Sequence, residues 1–216
     1  MIELFGSDYS VYVRSARLTL EEKGIDYTLC PIDVFAPGGP PDSYRALNPF
    51  AKIPTLRHGT FVIYETGAIM RYVDEQLEGP ALQPDDIQVR ARMNQILSIL
   101  DAYAYSTLVW EIYVERVVKP RDGSAPDEVR ISSAIGQARR IVTALEELTR
   151  SGPFLLGNQL TLADCHAASM MHLFQQAEEG ALLLKSAPVL SRWLEMFRSR
   201  ASFVKTAPTA GDKNAV

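Results

Sequence analysis

The sequence predicts two units of different class: a mixed α/β unit with the order β-α-β, β-β-α, then an all-α unit. Three observations carry this. Eight of the 13 prolines fall within the first 84 residues, at Pro31, Pro37, Pro40, Pro41, Pro49, Pro54, Pro80 and Pro84. Proline breaks helix interiors, so that part of the chain must be built from short pieces. Runs rich in Ile, Leu, Val, Tyr and Phe occur there beside isolated helical stripes. Further on, apolar residues recur at i, i+3, i+4 and i+7 over long stretches.

Taken in order, residues 1–5 and 27–34 read as strands. Val13, Ala16, Leu18 and Leu20 between them give a helical stripe that stops at Gly24. A β-α-β unit implies a parallel strand pair with the helix on one face. After a Pro/Gly-rich loop from Ala36 to Asp42, two short strands follow, over about 54–57 and 60–64, with His58-Gly59 as a tight hairpin turn. Ile69, Tyr72, Val73 and Leu77 mark a second helix. The segment Glu78-Gly79-Pro80-Ala81-Leu82-Gln83-Pro84 has no periodicity and reads as a linker. A long helix then runs from about Asp85 to Val118, carrying Met93, Ile96, Leu97 and Leu100 on its stripe. Ile131, Ile135, Ala138, Val142 and Leu145 mark another; one starts near Thr161, and Leu190, Trp193, Leu194 and Phe197 mark the last. The expected division is 1–78 for the mixed unit, 79–86 for the linker, 87–206 for the helical unit and 207–216 for a polar tail.

The 216 residues carry 22 Lys plus Arg against 26 Asp plus Glu, a net charge of −4, and 47% are apolar. That apolar content with so small a net charge excludes a disordered chain. A mildly acidic chain lacks the basic footprint that nucleic acid requires. Apolar runs such as Ala181-Leu182-Leu183-Leu184 are far too short to span a bilayer, and Met1-Ile2-Glu3-Leu4-Phe5 does not read as a secretory signal. Cys30 and Cys165 show no metal-type spacing and read as reduced thiols, which points to the cytoplasm. His166 and His172 are six apart, not the four that a zinc pair on one helix face needs, so no metal is expected.

Four stretches together resemble one family, the cytosolic glutathione S-transferases, in a serine-type, bacterial-like form. They are Ser10-Val11-Tyr12-Val13-Arg14-Ser15-Ala16-Arg17-Leu18 running into Leu20-Glu21-Glu22-Lys23-Gly24, Leu47-Asn48-Pro49-Phe50-Ala51-Lys52-Ile53-Pro54-Thr55-Leu56, Tyr64-Glu65-Thr66-Gly67-Ala68-Ile69, and Gly157-Asn158-Gln159-Leu160-Thr161-Leu162-Ala163-Asp164. The resemblance spans residues 2 to about 206. It implies a thioredoxin-like N-terminal domain, glutathione as co-substrate, a small apolar or aromatic electrophile as second substrate, and a homodimer.

Residue by residue, the resemblance makes Ser10 the catalytic hydroxyl. It would donate to the glutathione sulfur at a helix N-terminus, where the partial positive charge favours thiolate. Ser10 is equally well placed as a plain helix cap, and both roles are compatible. Lys52 would reach the glycyl carboxylate. Pro54, opening an edge strand, would follow a cis bond, so that Ile53 pairs with the tripeptide as an added strand. Thr66, read as the cap of the second helix, would take the γ-glutamyl carboxylate, and Glu65 its ammonium. Leu4-Phe5 stand where tyrosine-type relatives place their tyrosine, and no cysteine lies near Ser10. Tyr9, Tyr12, Tyr105, Val109 and Tyr113 are the candidates for the electrophile pocket. Thr161 and Asp164 read as a capping box that serves folding.

Two departures matter. The loop Ala36-Pro37-Gly38-Gly39-Pro40-Pro41-Asp42 has no Lys, Arg or His where several serine-type relatives hold the glycyl carboxylate, leaving Lys52 or Arg14 to compensate. Ser10-Val11-Tyr12 also lacks the Ser-Ser-Cys cluster of the isomerase relatives. The alternatives to conjugation are a non-catalytic binding protein of the same fold and a glutathione-dependent dehalogenase or ether-cleaving relative. Disulfide exchange would need a thiol at the helix start, where none stands.

Overall fold

The computed structural model describes residues 1–208; the rest of the expected tail lies outside the described residues. The first unit contains β1 (Ile2–Phe5), α1 (Val11–Lys23), β2 (Tyr27–Cys30), α2 (Asp42–Arg45), β3 (Thr55–His58), β4 (Phe61–Tyr64) and α3 (Thr66–Gln76). The sheet order is β2-β1-β3-β4. β1 runs parallel to β2 from Ile2↔Tyr27 to Phe5↔Cys30, and antiparallel to β3, with Leu4 opposite Leu56. β2 is shorter than expected, ending where Pro31 withdraws a backbone donor. The hairpin turns through Gly59-Thr60, one residue later than expected, with Gly59 at φ 62°. β3 is an inner strand, not an edge. Pro54 stands just before its first paired residue, Thr55, where a missing N–H costs the ladder nothing.

α1 is shared between two cores. Val13, Ala16 and Leu20 pack with Ile2, Leu4, Leu56, Ile69 and Val73 over the sheet. Val11 and Leu18 belong instead to the larger helical core, with Met70, Met93 and Leu97 among its members. Gly24 ends the helix in the left-handed conformation, φ 70°, as its sequence position predicts. The buried Lys23 ammonium donates to Asp74 of α3 at 3.1 Å and to the carbonyl of Pro80, tying the following segment to both helices.

The second unit opens with α4 (Ile87–Ile99), whose first N–H groups, on Gln88 and Val89, donate to the Asp86 carboxylate at 2.9 Å. It runs on into a π-wound stretch, Leu100–Val118. Then come α5 (Lys119–Arg121), α6 (Glu128–Leu148), α7 (Leu162–Phe174), α8 (Glu178–Lys185), α9 (Pro188–Arg198) and α10 (Ala201–Lys205). The anticipated helices all occur. α2, α5, α8 and α10 have no more than eight residues and leave too little periodicity to read.

Asp164 holds the start of the fully interior α7. Its carboxylate accepts from the N–H and hydroxyl of Thr161, the N–H of Leu155 and the indole N–H of Trp193, each at 2.8 Å. Burial raises its pKa against those four donors. Among the described residues no helix is long and apolar enough to cross a membrane.

Arg14 does not reach toward a ligand. It is buried at α10, donating to the Phe203 carbonyl at 3.0 Å, with its guanidinium 3.9 Å from the Phe203 ring centre. Burial, with Arg17 and Arg198 nearby, lowers its pKa to about 10. His172 packs edge-on to the same ring. Burial first, then Arg14 and Arg198, lower the His172 pKa to about 4. A histidine held neutral in the fold binds its proton more readily when unfolded, so its contribution to stability is present above pH 6.5 and lost as pH falls toward 4. We expect His172→Gln to flatten the decline in unfolding free energy over that window, as measured by denaturant titration at several pH values.

Candidate active site

A cavity of about 680 Å³ opens at the N-terminal end of α1. Ser10, Lys52, Ile53, Pro54, Glu65 and Thr66 all line it, together with Tyr9, Tyr12 and Tyr105. Three chain turns bring them there: the end of β1 into α1, the approach to β3, and the passage from β4 into α3.

Ser10 is the cap of α1, with extended backbone, and is 6% exposed. Its Oγ accepts from the Val13 N–H at 3.4 Å. Accepting leaves the hydroxyl proton available, so the side chain caps the helix and can still donate into the cavity. The Ser10 N–H itself donates to the Ser7 carbonyl at 3.1 Å, and the Ser7 hydroxyl to the Ile32 carbonyl at 2.5 Å, which fixes the turn against the chain beyond β2.

The Ile53–Pro54 bond is cis. The carbonyl of Lys52, just before it, is held by two buried donors: the Tyr44 hydroxyl at 2.6 Å and the Asn48 side-chain amide at 2.9 Å. The Thr55 hydroxyl completes the group, 2.9 Å from Tyr44 and 3.3 Å from Asn48. Burial raises the Tyr44 pKa, keeping it a donor. The Lys52 ammonium stays at the cavity surface.

Glu65 has φ 71° and ψ 116°, a strained backbone for a residue with a side chain. It takes the cap position of α3, and Thr66 is the first helical residue. Thr66 was expected as the cap; the turn out of β4 is completed one residue earlier. The first N–H groups of α3 have no partner within the helix, so this end can receive an anion.

The opposite wall is aromatic. Tyr12 and Tyr105 lie 4.5 Å apart between ring centres, Tyr105 and Trp110 6.4 Å, Trp110 and Phe35 6.5 Å, and Phe35 and Tyr9 6.2 Å. Burial first, then the neighbouring Asp101 carboxylate, push the Tyr12 phenol well above its usual pKa, so it is no source of phenolate. The cavity thus joins a helix N-terminus carrying a free hydroxyl proton, a backbone edge, a second helix N-terminus and an apolar wall.

Family models match both units of the chain. The glutathione S-transferase N-terminal domain matches residues 4–81, and the glutathione S-transferase C-terminal domain matches residues 102–201. The chain belongs to the glutathione S-transferase family. It is similar to glutathione S-transferase F13 of Arabidopsis thaliana, 25% identical over 209 residues, covering 96% of this chain and 95% of that one. It also resembles the solved structure of glutathione S-transferase III in apo form, with TM-score 0.82, 29% identity and coverage of 95% and 94%. Glutathione S-transferase-I bound with lactoylglutathione, 22% identical, shares the fold at TM-score 0.80 over 95% and 98% of the two chains.

Two of the expected pocket residues of this glutathione S-transferase lie elsewhere. Val109 and Tyr113 are 0% and 1% exposed and belong to the helical core. They share one long segment with Tyr105, but their face turns inward. Phe35, Trp110 and Asp101 line the cavity; of these the sequence points only to Trp110, as part of the aromatic run of the long helix and not as a pocket residue. Trp110 stands five residues from Tyr105 in the same aromatic run, and only that proximity hinted at it. The other two gave no signal. Asn48 lay within a quoted motif, but Tyr44 and its bond to Lys52 join residues that only the fold brings together. Among the described residues no group of three or more His, Cys, Asp or Glu could hold a metal ion.

Tyr44→Phe removes one of the two side-chain donors that hold the Lys52 carbonyl. A loss of about 1 kcal/mol in unfolding free energy is expected, with a severalfold rise in the glutathione KM and little change in kcat. Denaturant titration and steady-state kinetics check both.

Proposed function

We propose that this transferase uses Ser10 to stabilise the thiolate of glutathione, which attacks a small apolar or aromatic electrophile. The observation that carries the reading is Ser10 at the N-terminus of α1, capping with its oxygen and retaining a proton to donate into the cavity. A sulfur placed there would give its proton to water and be held by the hydroxyl and the helix N-terminus, both of which favour the charged form. The thiolate then forms a bond from sulfur to carbon, and the leaving group departs with its electron pair. Catalysis of this kind lowers the pKa of the nucleophile instead of supplying a base.

The other lining residues suit the rest of the tripeptide. Ile53 offers a backbone edge for an extended peptide, Lys52 an ammonium for the glycyl carboxylate, and Thr66 with the start of α3 a site for the γ-glutamyl carboxylate. Glu65 would take the ammonium of the same group. The lactoylglutathione named with the transferase-I structure is consistent with a glutathione-derived ligand for a protein of this fold. Tyr9, Tyr12 and Tyr105 would face the electrophile. The family resemblance further supports a homodimer acting in the cytoplasm, which sedimentation of the purified chain would examine.

Ser10→Ala should lower kcat/KM for an aryl halide by about 100-fold. The rising, low-pH limb of the pH–rate profile should move to higher pH, because the thiol loses a group that favours its anion. An unchanged rate would remove Ser10 from the mechanism. One observation favours the rival reading, a binding protein without catalysis: among the described residues, Lys52 is the only Lys or Arg lining the cavity. Calorimetry separates the two, since catalysis by this route requires glutathione to bind at millimolar concentration or better.

A further inference from the structure

One charged side chain in the cavity has no part in thiol activation. Asp101 stands at the start of the π-wound stretch, and its side chain, 45% exposed, lies on the aromatic wall. One of its carboxylate oxygens is 2.8 Å from Nε2 of His166. His166, on α7, is completely buried, and its other ring nitrogen, Nδ1, is buried with no partner. Hydrogen bonding therefore assigns Nε2–H as the donor to Asp101. That bond holds the carboxylate in place from behind.

The charge is also unbalanced on its own wall. Of the described residues lining the cavity, only Lys52, Glu65 and Asp101 are charged. Lys52 and Glu65 come from the loops of the first unit, where the tripeptide is proposed to lie. Among the described residues lining the cavity, no lysine or arginine shares the helical wall with Asp101; its carboxylate lies beside the Tyr12 phenol, and the rings of Tyr105 and Trp110 line the same cavity. Ring faces attract cations, and a carboxylate among rings repays its desolvation only to a positive or hydrogen-bond-donating group.

We propose that the helical wall of this cavity selects acceptors that carry a cationic or protonated amine substituent, with Asp101 as counter-charge and the rings of Tyr12, Tyr105 and Trp110 around it. This rests on reading the cavity as the acceptor pocket and narrows the acceptor from any apolar electrophile to a positively charged aromatic one. Asp101 acts here as a specificity determinant. His166 is a positioning residue.

The test needs no catalysis. Benzyltrimethylammonium and its uncharged isostere, 2,2-dimethylpropylbenzene, have nearly the same shape. A wall that was merely apolar would favour the hydrocarbon. Each is titrated into the intact protein, followed by tryptophan fluorescence, for which Trp110 is a reporter on the wall. The cation is expected to bind about tenfold more tightly or better, and Asp101→Asn to abolish that preference while leaving the hydrocarbon affinity within about twofold. Equal or tighter binding of the hydrocarbon by the unaltered protein overturns the proposal, whether or not the variant folds. So does an unchanged ratio in Asp101→Asn, or no binding of either probe at millimolar concentration. Ser10→Ala should keep the cation preference intact. In Ser10→Ala, loss of conjugation with the preference retained refers to thiol activation alone; in the unaltered protein, normal conjugation without the preference sinks only the present inference.

Discussion

Helix α1 is pinned from both sides, and the geometry of the cavity follows from that. Its inner stripe is packed on the sheet and its other face on the helical unit. Its far end is secured by Gly24 and by the buried Lys23–Asp74 pair. The bidentate bond from Arg200 to Glu22 and the contact of Ser202 with the same carboxylate anchor α10 to it as well. A helix held this way has no freedom to slide or tilt, so the position of its first turn is set by the whole molecule. The hydroxyl of Ser10 is thus placed by contacts far from the cavity, as a precise site requires.

The two walls of the cavity are built on different principles. On the side of the first unit, the side chains of Ser10, Lys52, Glu65 and Thr66 stand at turns whose backbone is supported from behind: Lys52 by Tyr44 and Asn48, the Ser10 turn by Ser7. The aromatic side offers rings: Tyr105 and Trp110 from one long segment, joined by Tyr12 of α1 and by Tyr9 and Phe35. Backbone positions change only when the fold changes, whereas a side chain changes with one substitution. The first wall suits a ligand that stays the same, and the second a ligand that varies.

Much of this was legible in the sequence, and the boundary of what was legible has a physical basis. Ser10, Ile53-Pro54 and Glu65-Thr66 stood out because each lies at a junction between an apolar run and a helix or strand, where local chemistry speaks for itself. The Asp164 capping box was readable for the same reason. Val109 and Tyr113 were misplaced because periodicity gives the spacing along a helix but not which face meets which neighbour. Asp101 was invisible because its significance depends on His166, 65 residues away in sequence. The roles of Tyr44 and Arg14 were hidden likewise, since their partners are set by tertiary packing. Four helices of no more than eight residues escaped because so short a segment completes little more than two turns.

Lys52, exposed at the cavity mouth, differs in one respect from the buried Ser10 and Thr66 on that wall. A lone ammonium in water is screened by dissolved ions, with a Debye length of about 8 Å at physiological ionic strength. The start of α3 and the hydroxyl of Ser10 are sheltered, and short-range hydrogen bonds are screened far less. The two ends of an extended tripeptide would therefore respond differently to salt. The hold of Lys52, like that of the exposed Glu65, would slacken as ionic strength rises, while the hydrogen bonds at Thr66 and at the sulfur would be screened less. The missing basic residues in the Ala36–Asp42 loop are what leave the end nearest Lys52 to a single, screenable charge.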